Sequence, residues 1–185
     1  MARTGRTSKL IVTGIAVAVV TAVVAGLYLF QPWKLWQDET VLESLPSPAV
    51  TLPAEPASPG GSPAPPTGPV TVAAGRFISH EHATTGAVKI VRLADGTHTL
   101  RLENLDTSNG PDLHVWLTDA PVKAGRGGWG VFDDGKYISL GKLKGNKGNQ
   151  NYALPAGAEL SDFTSVSVWC ARFGVSFGAA ELTQV

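Results

Sequence analysis

The chemistry available to this chain rests on one cysteine, four histidines and two glycine-spaced signatures. Cys170 has no second cysteine to pair with. It is either a reactive thiolate or a small hydrophobe that fills space. Alternation along Ser165 to Cys170 puts Val166, Val168 and Cys170 on one face, pointing into a core, and Arg172 two residues on would steady a thiolate if it shared that face. His80 and His82 would project from one side of a strand. With His114 they could supply three nitrogen ligands, and Cys170 a thiolate. A blue-copper site needs a histidine soon after the cysteine and usually a methionine, but no histidine follows Cys170 and the only methionine is Met1. His80, His82 and His114 therefore default to loop histidines, and no metal is assigned.

Gly174-Val175-Ser176-Phe177-Gly178 fits the nucleophile elbow G-x-S-x-G, yet that motif needs an α/β scaffold and a later histidine, and none follows. Gly125-Arg126-Gly127-Gly128-Trp129-Gly130 fits G-x-G-x-x-G without the strand before it or the helix after it. Hydrolase and dinucleotide-dependent chemistry are both disfavoured. A binding role needs neither. Asp112, His114 and Trp116 share one face of a strand whose other face carries Leu113, Val115 and Leu117, so they form a candidate recognition surface. The alternative is that Trp116 packs under the glycine-rich loop around Trp129. Lys142, Lys144 and Lys147 could meet anionic groups or sit in a solvated loop.

These residues are positioned by short strands. Thr99 to Glu103 alternates with period two and Ala87 to Leu93 is a β-branched run, with the hairpin signal Asp95-Gly96 between them. Further strands are expected at Asp112 to Leu117, Tyr137 to Leu140, Gln150 to Leu154, Ser165 to Cys170 and Gly174 to Leu182. Asn109-Gly110-Pro111, Asp133-Asp134-Gly135 and Lys144 to Asn149 read as loops. No window after Gly75 has helical periodicity. The expected fold is all-β, an antiparallel β-sandwich or barrel.

Ahead of it lie two unlike segments. Leu10 to Phe30 is an uncharged run of 21 residues, long enough at ~1.5 Å per residue to cross a bilayer core. Arg3, Arg6 and Lys9 precede it. The positive-inside rule thus keeps the N-terminus in the cytoplasm and exports the rest as a single-pass protein of the cell membrane. A cleaved signal peptide would have a shorter apolar core and a small-x-small site. Nine of the 13 prolines fall between Pro46 and Pro69, a composition that favours extended polyproline II. As a spacer it could hold the domain up to ~100 Å from the membrane. The expected organisation is a basic tail (1–9), a transmembrane signal anchor (10–30), a disordered Pro-rich linker (31–74) and a β domain (75–185). The 15 basic residues balance the 15 acidic ones, and this lack of basic excess argues against a nucleic-acid partner.

Gly75-Arg76-Phe77, Gly86 to Ile90, Asn109 to Leu117, Leu140 to Tyr152 and Val166 to Gly178, taken in order, resemble the DM-thirteen domain. This is a family labelled electron transfer, found beside DOMON domains in Skeletor-like animal proteins and alone in bacterial envelope proteins. The resemblance covers nearly all of Gly75 to Leu182. It implies a compact β domain and a redox role for the family's cysteine, here Cys170, as a bare thiol or as holder of a prosthetic group such as haem. An envelope redox partner follows from that role. Lys123 to Val131 departs from the family as an inserted loop, and no DOMON domain accompanies this one. Two functions result: a membrane-anchored electron-transfer module, or a non-catalytic surface binding or structural module.

Overall fold

The computed structural model describes residues 4–46 and 68–185. Most of the expected proline-rich linker, including the run Pro63 to Pro66, lies outside the described residues. Helix α1 spans Thr4–Phe30. Its large apolar side chains from Ile11 to Phe30 are exposed. The segment Ile11–Lys34 is long and apolar enough to cross a membrane. The helix ends where Pro32 disfavours helical geometry in the residue before it, and Gln31 turns left-handed at φ 42°.

The remainder is β: β1 (Thr40–Leu42), β2 (Val70–Ser79), β3 (Thr85–Arg92), β4 (His98–Asp106), β5 (Leu113–Thr118), β6 (Tyr137–Lys142), β7 (Lys147–Ala153), β8 (Ser165–Cys170), β9 (Val175–Glu181) and β10 (Thr183–Gln184). They form one curled sheet in the order β1-β7-β4-β3-β2-β9-β8-β5-β6, with β10 also on β2. Every pairing between these strands is antiparallel except β1 with β7. This is the all-β domain that alternation called for, as a half-barrel. The seam between β6 and β7 carries no ladder. Instead the Lys144 N–H donates to Gln150 Oε1 and to the Tyr152 hydroxyl, each at 3.1 Å, and Gln150 Nε2 donates to the Gly145 carbonyl at 2.6 Å. Gln150 is fully buried, and both ends of its amide are hydrogen-bonded.

Inside the curl, Val88, Leu100, Leu102, Val115, Val166 and Val168 form the main core. A second core lies on the outer face of β5, β8 and β9, where Trp116, Trp169, Phe132, Ala120 and Ala179 pack together. The loop between β5 and β6 folds over it. Both faces of β8 are thus covered, and all six of its residues are buried.

Two boundaries differ from the sequence reading. β2 begins at Val70, so the domain starts before Gly75. Thr40–Leu42, within the expected linker, is a parallel edge strand on β7, with Thr40 opposite Lys147 and Leu42 opposite Asn149. What seats it is side-chain chemistry rather than strand propensity. Asn146 Oδ1 accepts the Glu39 N–H at 2.7 Å while its Nδ2 donates to Asp38 Oδ1 and the Thr107 carbonyl, both at 2.8 Å. Glu43 accepts from Lys144 Nζ at 2.7 Å and from the Asn151 N–H at 2.7 Å. Gly148, at φ +99°, leaves room for Val41: any Cβ there would run into the Val41 carbonyl oxygen. The ~100 Å spacer reach therefore does not apply to this chain, which is caught on the domain ten residues after the helix ends.

Candidate functional site

At one end of the half-barrel β5 begins and β6 and β8 end. This end gathers Cys170, Asp112, His114 and Lys142. Cys170 is the last residue of β8, paired with Leu113 on β5 and Val175 on β9, and it is completely buried in the main core. The inward phase read from alternation is correct. Only the turn Ala171 to Gly174 follows it, and all four of those residues are exposed. Burial pushes the thiol's pKa up. The nearby backbone amides of Phe173, Arg172 and Asp112 oppose that shift, while the Asp112 charge adds to it. Arg172 itself lies in the exposed turn.

Asp112 and His114 are joined at 3.0 Å, His114 Nε2 to Asp112 Oδ1, and Lys142 Nζ lies 3.4 Å from the same oxygen. Burial alone would raise Asp112, but His114 and Lys142 beside it outweigh burial and hold the carboxyl below its ordinary value. A cleft of about 510 Å³ opens next to this group, between Lys34, Gln37, Asp38 and Glu39 on one wall and Asn109 to Leu113 with Lys142 on the other. It stops at Leu113. Cys170 is not among its lining residues.

Trp116 corrects the expected binding surface. It shares the outer face with His114, but only 7 % of it is exposed. Its ring is stacked between Tyr137 at 4.0 Å and Trp169 at 4.9 Å. Of the trio, Asp112 and His114 remain accessible, each partly buried. The lysines are likewise engaged: Lys142 with Asp112, Lys144 with Glu43, Lys147 with Asp38.

The three candidate ligand histidines go to three places. Among the described residues no group of three or more His, Cys, Asp or Glu side chains converges on a metal position. His82 lies tilted against Phe177 with ring centroids 3.9 Å apart. His114 holds Asp112. His80 is buried beneath the β5–β6 loop, its Nε2 3.1 Å from the Lys123 carbonyl and its Nδ1 2.9 Å from Ser176 Oγ, which Ser167 Oγ reaches at 2.9 Å. A carbonyl can only accept, so Nε2 carries the proton and Nδ1 accepts from the Ser176 hydroxyl. The serine of the G-x-S-x-G match does meet a histidine, though one from earlier in the chain. The pair is sealed in the second core, and a carbonyl stands where a triad would have its acid. It is a latch for the loop.

Burial lowers the pKa of His80, against the Lys123 carbonyl that raises it. A depressed folded-state pKa means that the unfolded chain binds the extra proton first. The stabilisation is complete above the unfolded value of about 6.5 and is lost as pH falls through the folded one. Denaturant midpoints should therefore decline below about pH 6.5, ahead of the carboxylates, and His80→Gln should flatten that slope. An unchanged slope in the variant would assign it elsewhere.

A family model described as Electron transfer DM13 matches residues 76–182, from β2 through the end of β9. The chain belongs to the Electron transfer DM13 family. No curated protein and no solved structure matches it. In this DM13 domain the second core is covered by the β5–β6 loop through Ala120, Val122, Val131 and Phe132, residues that flank or end the Lys123 to Val131 stretch that reads as an insertion. The matched segment excludes β1, so this edge strand lies outside the part of the chain that the DM13 model covers. Haem, which the family resemblance raises, does not fit at Cys170. The sulfur is enclosed by the core side chains and the neighbouring cleft stops short of it.

Proposed function

We propose that this chain is a membrane-anchored, extracytoplasmic redox module that works through Cys170. The membership of an electron-transfer family supports the class of activity. The apolar helix α1 with its preceding Arg3, Arg6 and Lys9 supports anchorage with the N-terminus in the cytoplasm. The observation that carries the cysteine-centred reading is the place of the thiol: buried, yet at the last position of its strand, under one exposed four-residue turn.

The reaction open to a lone thiol is exchange. The Cys170 thiolate attacks a disulfide on an envelope partner, one S–S bond forms as one breaks, and the partner's second sulfur leaves as a thiolate. Because burial raises the pKa, the step requires the turn to open, and it accelerates with pH beyond the range of an ordinary exposed thiol. The test uses an aromatic disulfide that releases a coloured thiolate. One equivalent per chain should react in the native state, faster than the protein unfolds globally, and Cys170→Ser should abolish it. A native rate equal to the global unfolding rate would mean that the turn does not open, and Cys170 would then be a core residue only.

A further inference from the structure

We infer that the strap formed by Gln37 to Ser44 holds the domain down on the outer bilayer surface, with the Ala171 to Gly174 turn against the lipid headgroups. This rests on the anchored reading of α1 proposed above.

The first argument is chain length. Ten residue steps separate Phe30, at the helix end, from Thr40, the start of β1. Fully extended they span at most about 35 Å, and Pro32–Trp36 shortens this further by coiling into a 3-10 turn. β1 then enters the sheet beside Lys147, at the same end as Cys170 and Asp112. The Asn109 side chain, from the loop before β5, donates to the Gln37 carbonyl at 3.2 Å and closes the gap from the other side.

The second argument is the surface so presented. Phe173, at the tip of the β8–β9 turn, is 50 % exposed, and its ring stacks on Phe30 of the helix end at 5.9 Å and 13°. Trp33, three residues beyond Phe30 in the chain, is 45 % exposed. Exposed aromatics at a helix end and a turn that touch through Phe30 and Phe173, with Lys34 and Arg172 next in sequence, suit the headgroup layer, where rings bury their apolar part and cations meet phosphate. The opposite end of the sheet, at the β3–β4 turn, is a nine-residue strand away, about 30 Å.

The experiment uses the full chain in phosphatidylcholine–phosphatidylglycerol vesicles doped with a headgroup nitroxide lipid. In a Cys170→Ser background, so that the native thiol takes up no label, a bimane fluorophore is placed at Arg172→Cys or, as the distal control, at Ala94→Cys. Fluorescence should be lost at position 172 and retained at 94. The double variant Asp38→Lys/Glu43→Lys, which turns the strap's carboxylates against Lys147 and Lys144 without touching the domain, should restore the signal at 172. Equal quenching at the two positions in a chain that resists alkaline carbonate extraction would overturn the docked orientation while anchorage stands. Persistent quenching in the double variant would overturn the strap's part. Release of the chain by carbonate would overturn anchorage and, with it, the docking.

Discussion

Trp169→Ala is expected to destabilise the domain by about 3 to 5 kcal/mol, the cost of deleting a large buried aromatic whose space cannot collapse. The reason is its position. Trp169 is 1 % exposed, stacks on Trp116 at 4.9 Å and meets Phe132 edge-on at 6.3 Å. It is thus the floor on which the β5–β6 loop rests. Its loss would leave Phe132, Val131 and Val122 without a common partner. Ser176 N–H donates to the Trp129 carbonyl at 2.8 Å, so the loop is tied to β9 as well and cannot simply close onto the void. Against a total stability of about 5 to 15 kcal/mol this is a large fraction. A chemical denaturation series should show a lower midpoint, with protease cleavage appearing first between Lys123 and Gly135. A midpoint within error of the wild type would show that the second core contributes little.

Gly148→Val is expected to release the strap. The native φ of +99° costs a β-branched residue about 1 to 3 kcal/mol, and the new side chain would occupy the place of the Val41 carbonyl. Seen from Asn146, losing β1 also empties two of its three hydrogen bonds, those to Glu39 and Asp38. The comparison that isolates the strap is a two-by-two set: fragments beginning at Gln37 and at Gly68, each with and without the substitution. The penalty should be larger in the fragment that carries the strap, because only there does the valine meet Val41. Equal penalties would reduce the effect to backbone strain alone and leave the strap uncoupled from β7.

Much of this architecture was legible in the residues. The strands expected at Ala87 to Leu93, Thr99 to Glu103, Ser165 to Cys170 and Gly174 to Leu182 formed within a few residues of their expected ends. Period-two alternation is a local property that needs only one buried face. The DM13 motifs and the apolar run were equally local. So was the inward phase of Cys170, since the parity of a strand of given register cannot change along its length.

Tertiary structure decided whatever depended on a second layer. Trp116 and His114 have the same parity in β5, yet one is buried and the other only partly so, because the β5–β6 loop, Tyr137 and Trp169 close over only part of that face. His80 and Ser176 are 96 positions apart. They meet because the β2–β9 pairing brings the two ends together, and no spacing rule along the chain reaches that far. Thr40–Leu42 is three residues beside a proline-rich stretch, too short to carry a periodicity. It is a strand only because Asn146, Gly148 and Glu43 supply, from both sides, the contacts its own sequence could not announce.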